Sequence, residues 1–265
     1  IIYSIMRKSS LFLLLTFILS WLLALIIYLL EIKLQTISGT ILLACYMFIP
    51  MISAFTVSKV IYKERTGVSL NISFILNKWF LIAWLIMPLY VIFTFGVTLL
   101  LPDISYSPDM EGMFNRFENL LTSEQMQEMR ESMNDLPIHP FWLSFIQGLI
   151  AGITINALAA FGEELGWRGL LLREYSRMKF IKASLFIGFI WGLWHAPIIL
   201  MGHNYPEHPI AGVGMMILWC VLLSPLFTYI LIKSESVIAA SILHGTLNGT
   251  AGIAVLLISG GNDLT

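Results

Sequence analysis

The sequence is poor in charge: Asp, Glu, Lys and Arg together make up 12% of its 265 residues. A soluble domain carries roughly 25%, so a water-facing surface of ordinary extent is excluded. The 15 basic and 16 acidic side chains nearly cancel, to a net charge of -1, which leaves no basic surplus to hold a nucleic acid. Cysteine is almost missing. Cys45 and Cys220 both lie in apolar runs, where a disulfide framework has no place, and they read as packing residues. Internal repeats, low-complexity tracts, soluble domains and Gly-rich phosphate loops are all absent from the sequence, which removes solenoids, flexible linkers and nucleotide-binding cores. What remains is apolar: 58% of the residues are hydrophobic and the mean hydropathy is +0.84. The chain reads as an integral membrane protein, all-α, with the lipid bilayer as its first partner.

A membrane helix needs roughly 20 apolar residues. Ser10 to Leu30, Ile37 to Ser58, Trp79 to Leu101, Phe141 to Gly162 with a continuation, Ala183 to Met201, Ile210 to Ile232 and Val237 to Ile258 meet that requirement. The expected architecture is a polytopic helical bundle of about seven transmembrane helices, with eight as the upper count. The first run is longer than a cleaved leader's apolar core and no small-x-small cleavage site follows it, so it reads as a retained span. Three N-terminal spans fill 1–101, an acidic segment fills 102–140, and 141–258 holds the polar residues discussed below.

Short loops carry the orientation signal. Arg7 and Lys8 precede the first span, Lys59, Lys63, Arg65 and Lys78 separate the second from the third, and Arg173, Arg177, Lys179 and Lys182 follow the fourth. Seven spans put all three groups on one side, so the N-terminus is expected in the cytoplasm, across the cell (plasma) membrane from the acidic segment. Within that segment Thr122 is a suitable helix cap, and Met126, Met129 and Met133 share one face, which predicts a short amphipathic helix.

An ionisable side chain at bilayer depth costs roughly 2.5 to 3.5 kcal/mol on insertion scales, so each one is a functional candidate. Here they cluster. Glu163, Glu164 and Arg168 continue the fourth span, His195 lies in the fifth, and His244 and Asn248 lie in the seventh. With a rise of about 1.5 Å per residue, Glu163 sits about 13 Å, His195 about 18 Å and His244 about 10 Å from the cytoplasmic ends of their segments. Gly162 and Gly166, Gly188 and Gly192, and Gly245 and Gly249 form small-xxx-small pairs beside these residues, a spacing that lets helices approach closely in lipid.

Glu164 and Arg168 share a helix face and are expected to pair, which lowers the cost of burying both. Glu163 points about 100° away, without that partner, and suits a general base acting on water. His195 and His244 can hold the water, polarise a carbonyl or bind a metal. His244 and Asn248, four apart, can donate hydrogen bonds to a developing oxyanion. Such a set hydrolyses amides without a Ser or Cys nucleophile. Pro197 is expected to kink the helix just after His195.

At these residues the chain resembles the CPBP family of intramembrane proteases, which includes the CAAX prenyl endopeptidases and the bacterial lysostaphin-resistance and bacteriocin-immunity type proteins. Glu163, Glu164 and Arg168 match the family's Glu-Glu-x-x-x-Arg motif, and His244 and Asn248 match His-x-x-x-Asn. The middle motif is usually Phe-x-x-x-His; here Trp191 precedes His195 at that spacing, an aromatic expected to give shape support. The resemblance implies an endopeptidase in which Glu163 and His195 activate water, His244 and Asn248 form the oxyanion site and Arg168 holds Glu164. Its substrates are peptides or membrane proteins. Glu163, His195 and His244 would be the ligands of a divalent metal such as zinc, and a metal-free water is the alternative; the His-Glu-x-x-His helix of zinc enzymes is not in the sequence. The residues alone also admit a proton-coupled transporter using the same acids and histidines as a relay, and a non-catalytic membrane adaptor.

Overall fold

The computed structural model describes residues 7–65, 67, 70–117 and 121–261. All seven apolar runs are helical. α1 spans Lys8–Leu29, and α2 spans Ile37–Phe55 and continues as a π-helical turn over Thr56–Ile61. α3 is Lys78–Thr98. In the acidic segment come β1 (Ile104–Tyr106), α4 (Glu111–Phe117) and α5 (Ser123–Asn134). α6 (Pro140–Ile153), α7 (Ile155–Glu164) and a π-helical turn at Leu165–Leu171 make up the fourth run. α8 (Phe180–Trp194) and α9 (Ala196–Leu200) make up the fifth, followed by α10 (Pro209–Ser234), α11 (Val237–Thr250) and β2 (Ile258–Gly260).

Among the described residues, five helices can cross a membrane by length and composition, or six when the broken pair α6–α7 counts as one span. Two of the seven apolar runs are not single long helices. The fourth run is interrupted at Thr154, whose backbone (φ -120, ψ -105) leaves the helical region while its hydroxyl donates to the Ile150 carbonyl at 2.7 Å. The fifth stops at Trp194, so α8 has 15 residues, about 22 Å of helix against a hydrocarbon thickness of about 30 Å. Pro197 explains part of the second: it occupies the first turn of α9, where its missing N–H costs nothing. Where the sequence reads as a kink, the α-helix is interrupted for one residue at His195, whose backbone (φ -73, ψ -12) stays in the right-handed region.

The helices are inside-out relative to those of a soluble protein. On α1, Thr16 and Ser20 are fully buried, whereas Leu22, Ile26 and Leu29 are more than half exposed. Bulky apolar side chains outside and small polar ones inside is what a hydrocarbon solvent selects, because lipid accepts leucine and closely packed helices need small residues. The chain is an integral membrane protein.

It divides into two compact units. The first comprises the described residues up to Phe80 together with Leu158–Ser241. Here α8 lies along α10, and Gly188 and Gly192 make that approach possible. A Cβ on Gly192 would stand 2.5 Å from the Ile217 Cα, and one on Gly188 would stand 2.7 Å from the Cys220 carbonyl oxygen. Gly162 and Gly166 likewise meet α2, at Met47, Phe48 and Pro50. Two of the three expected glycine pairs thus serve packing against α10 and α2, helices that carry none of the nominated residues. Gly192→Val is expected to destabilise the protein by about 1 to 3 kcal/mol through overpacking, measurable as a lower Tm in detergent.

The basic loops nominated for one side do gather at one end of this unit. Lys8 at the start of α1 pairs with Glu64 at 2.6 Å and with Glu174 at 3.7 Å, and Arg173 approaches Glu64 at 3.9 Å. Asn77 donates to the Ser234 carbonyl and Ser236 to that of Ser73, tying the α2–α3 connection to the α10–α11 turn.

The second unit comprises Leu81–Ala157 and the described residues from Ile242 onward. β1 and β2 pair antiparallel, Ser105 opposite Ser259, a small ribbon absent from the sequence reading. Thr122 caps α5 as expected: its hydroxyl accepts from the Gln125 N–H while the Gln125 side chain accepts from the Thr122 N–H, a capping box. Met126, Met129 and Met133 pack on Met110, Met113 and Phe114, so the methionine face of α5 rests on the protein. Arg130 holds Glu111 with two hydrogen bonds of 2.9 Å and covers the Phe114 ring at 4.0 Å. The Arg130 hydrogen bonds keep the Glu111 carboxyl below its usual range. A carboxyl lowered by folding stabilises above its unfolded pKa, about 4.3, and loses that contribution as pH falls through its folded value. Amide exchange in α5, corrected for intrinsic rates, is therefore expected to be unchanged between pH 7 and 5 and to accelerate only below about pH 4.

Candidate functional site

The first unit assembles five of the nominated residues. α7 delivers Glu163 and Glu164 at its last turn, and the π-helical turn that follows carries Arg168. Wide turns of this kind concentrate at functional sites. Glu163 is 2% exposed; Glu164 and Arg168 are fully buried. The expected ion pair is present, Arg168 Nη1 to Glu164 Oε1 at 3.2 Å. Arg168 Nη2 reaches Ser224 Oγ on α10 at 3.4 Å, and the guanidinium lies 4.5 Å from the Trp191 ring and 4.8 Å from Phe227. Two aromatic faces and a carboxylate replace the water that such a cation gives up on burial.

Glu163 is not left without a partner. Trp191 Nε1 donates to its Oε2 at 2.7 Å, a short bond of charge-assisted length. The sequence reading gave Trp191 a shape role only, and here it supplies a proton donor. The Trp191 carbonyl meets His195 Nδ1 at 2.8 Å. A carbonyl only accepts, so Nδ1 carries the hydrogen and Nε2 of the neutral ring carries the lone pair.

His195 stands in the gap between α8 and α9, half-buried, edge-on to Trp194 with ring centroids 4.7 Å apart. Its position is fixed from α1 and α2. Trp194 Nε1 donates to Ser20 Oγ, and Tyr46 OH donates to the Trp194 carbonyl, each at 2.7 Å. Glu163 and His195 thus belong to one hydrogen-bonded set with Trp191 between them. Their donor types are ones that zinc accepts, and an imidazole whose Nδ1–H is tied to a carbonyl is oriented for Nε2 ligation. Among the described residues, no group of three His, Cys, Asp or Glu forms a metal cage.

In the second unit α11 places His244 and Asn248 one turn apart, His244 at 5% exposure and Asn248 exposed. Their backbone is tightly held. Asn156 Nδ2 donates to the Gly245 carbonyl at 3.3 Å, and Gly249 lies against the Gly148 carbonyl of α6 so closely that a Cβ would stand 2.5 Å from it. Here the third glycine pair does join two of the nominated segments.

Residues 140–250 match the family described as type II CAAX prenyl endopeptidase Rce1-like. CAAX prenyl protease 2 of Methanococcus maripaludis is 32% identical over 112 residues, 40% of this chain and 41% of that protein. Over this segment the chain is similar to CAAX prenyl endopeptidases.

The match spans about two fifths of that relative's length; the three stretches that resemble CPBP motifs, Glu163 to Arg168, Trp191 to His195 and His244 to Asn248, lie within the family-matched residues 140–250. Several residues around these stretches escape sequence reading: Ser224 and Phe227, which hold Arg168, and Asn156, which holds the His244 turn. Ser224 and Phe227 are three apart on one face of α10. A serine beside Pro225 in an otherwise apolar run is the one signal that could have drawn attention to that face.

Proposed function

We propose that the protein is an intramembrane endopeptidase that hydrolyses peptide bonds with a water activated by Glu163 and His195. The observation that carries this reading is the Trp191 bridge, which ties the carboxylate to the imidazole inside a buried aromatic setting. In the reaction Glu163 takes a proton from water as the oxygen adds to the scissile carbonyl carbon. His195 orients that water through Nε2. The role of oxyanion donors falls to His244 and Asn248 on the resemblance of the third motif alone. Glu163 then passes its proton to the leaving nitrogen as the C–N bond breaks, and a carboxylic acid and an amine leave. Glu164 and Arg168 touch no reacting atom; they hold the turn that presents Glu163. A divalent ion such as zinc, held by Glu163 and His195, would supply Lewis acidity to the same water.

The substrate is a peptide or a membrane protein presented near the cytoplasmic half of the cell membrane, with the basic end of the first unit on the cytoplasmic side. A prenylated CAAX tail, the substrate class in the relative's name, is the first to try. Purified protein in detergent, given a mixed fluorogenic peptide library and prenylated CAAX peptides, is expected to release fragments with new amine termini. Loss of activity in chelator and its return with zinc would assign the metal form, and activity indifferent to chelator the metal-free one. No cleavage by wild type across both sets, with pH-driven solute uptake in proteoliposomes, would overturn the reading.

A further inference from the structure

Trp191 makes more of the site than its place in the sequence suggests. Its three functional surfaces each touch a different group: the indole N–H donates to Glu163, the main-chain carbonyl meets His195 Nδ1, and the ring face carries the Arg168 guanidinium. It is 3% exposed and also packs on Phe227, with ring centroids 5.4 Å apart. A residue that only filled space would need neither the N–H nor its alignment with a carboxylate oxygen. Phenylalanine, the aromatic usual at this place in the motif, has the ring but no donor.

We infer that Trp191 is a positioning residue for catalysis, its indole N–H fixing the Glu163 carboxylate in the orientation from which the other oxygen receives the proton of water. This rests on the proposed hydrolysis and names what aims its base. Glu163 closes an α-helix at the entry to a wide turn, and its side chain has several rotamers open to it. The indole selects one. Because the same residue's carbonyl sets the His195 tautomer, the relative placement of base and imidazole is governed by the backbone and ring of a single residue.

The test separates the N–H from the ring. Trp191→Phe keeps an aromatic ring toward Arg168 and removes the donor along with some buried ring volume. It is expected to lower kcat about 10-fold or more, the usual size for a lost hydrogen bond to a charged group, with KM within about twofold and Tm within a few degrees of wild type. Trp191→Leu, which removes the ring as well, is expected to lower both kcat and Tm. A second measurement needs no substrate: in 15N-tryptophan-labelled protein the indole N–H resonance that vanishes in Trp191→Phe is expected to move upfield in Glu163→Gln, where a neutral amide replaces the carboxylate acceptor.

Wild-type kcat in Trp191→Phe, or an indole resonance unmoved by Glu163→Gln, would overturn the inference while leaving the proposed hydrolysis intact. Full activity in Glu163→Gln would instead overturn the hydrolysis itself, and the resonance would still report whether the N–H holds that carboxylate.

Discussion

Glu163→Gln is expected to reduce peptide cleavage by at least about 100-fold, and by as much as about 10,000-fold, with no change in helical content. General acid–base catalysis contributes gains of that size. The amide is nearly isosteric with the carboxylate and can still accept from Trp191 Nε1 through its oxygen, so the packing around Trp191 and Phe227 is retained. What it cannot do is take a proton from water. The measurement is the rate of fragment release from the best library peptide, paired with circular dichroism of the same samples. Full activity in the variant would remove Glu163 from the chemistry. Glu164→Gln offers the comparison: its carboxylate faces Arg168 rather than the reacting water, and its effect should fall on stability more than on kcat.

The second large effect is expected at Arg168. Arg168→Met leaves Glu164 buried at 0% exposure without its cation, and removing one partner of a buried ion pair costs about 3 to 5 kcal/mol. It also strips the charge from between the Trp191 and Phe227 rings. The double variant Glu164→Gln with Arg168→Met removes both charges and is expected to recover more than half of that loss, because an uncompensated buried charge is the costly species. Heat-induced unfolding in detergent of the two single variants, the double and the wild type completes the cycle. A double variant no more stable than Arg168→Met would show that the arginine acts through its packing on the rings rather than through Glu164.

The parts legible in the sequence were those set by local spacing. Glu164 and Arg168 are four apart on a helix and pair; Thr122 and Gln125 are three apart and form the capping box. Long apolar runs became helices because a chain in lipid has few other ways to satisfy its backbone. What could not be read depends on partners distant in sequence or on small backbone energies. Nothing in the stretch Leu165 to Leu171 announces a π-helical turn, and nothing in the run from Phe141 announces a break at Thr154. The bond from Trp191 to Glu163 joins residues 28 apart, and Ser224 reaches Arg168 across 56. The function of a tryptophan in such a place is decided by which atom its N–H meets, and that is a tertiary fact.

The wide turn over Leu165–Leu171 also bears on how this chain tolerates changes in length. A π-helical segment is an α-helix carrying surplus backbone, so losing one residue there would let the ladder close in the ordinary α pattern. That would be mild for the helix beyond, which keeps its register, and severe for the side chains inside the turn, whose directions relative to Glu163 would change. Arg168 would then face away from the aromatic pair that shelters it. A length variant in this stretch is thus expected to keep its helix and lose its site, whereas the same deletion in the loop Gly202–Glu207, outside the helices, would shift no register in α7.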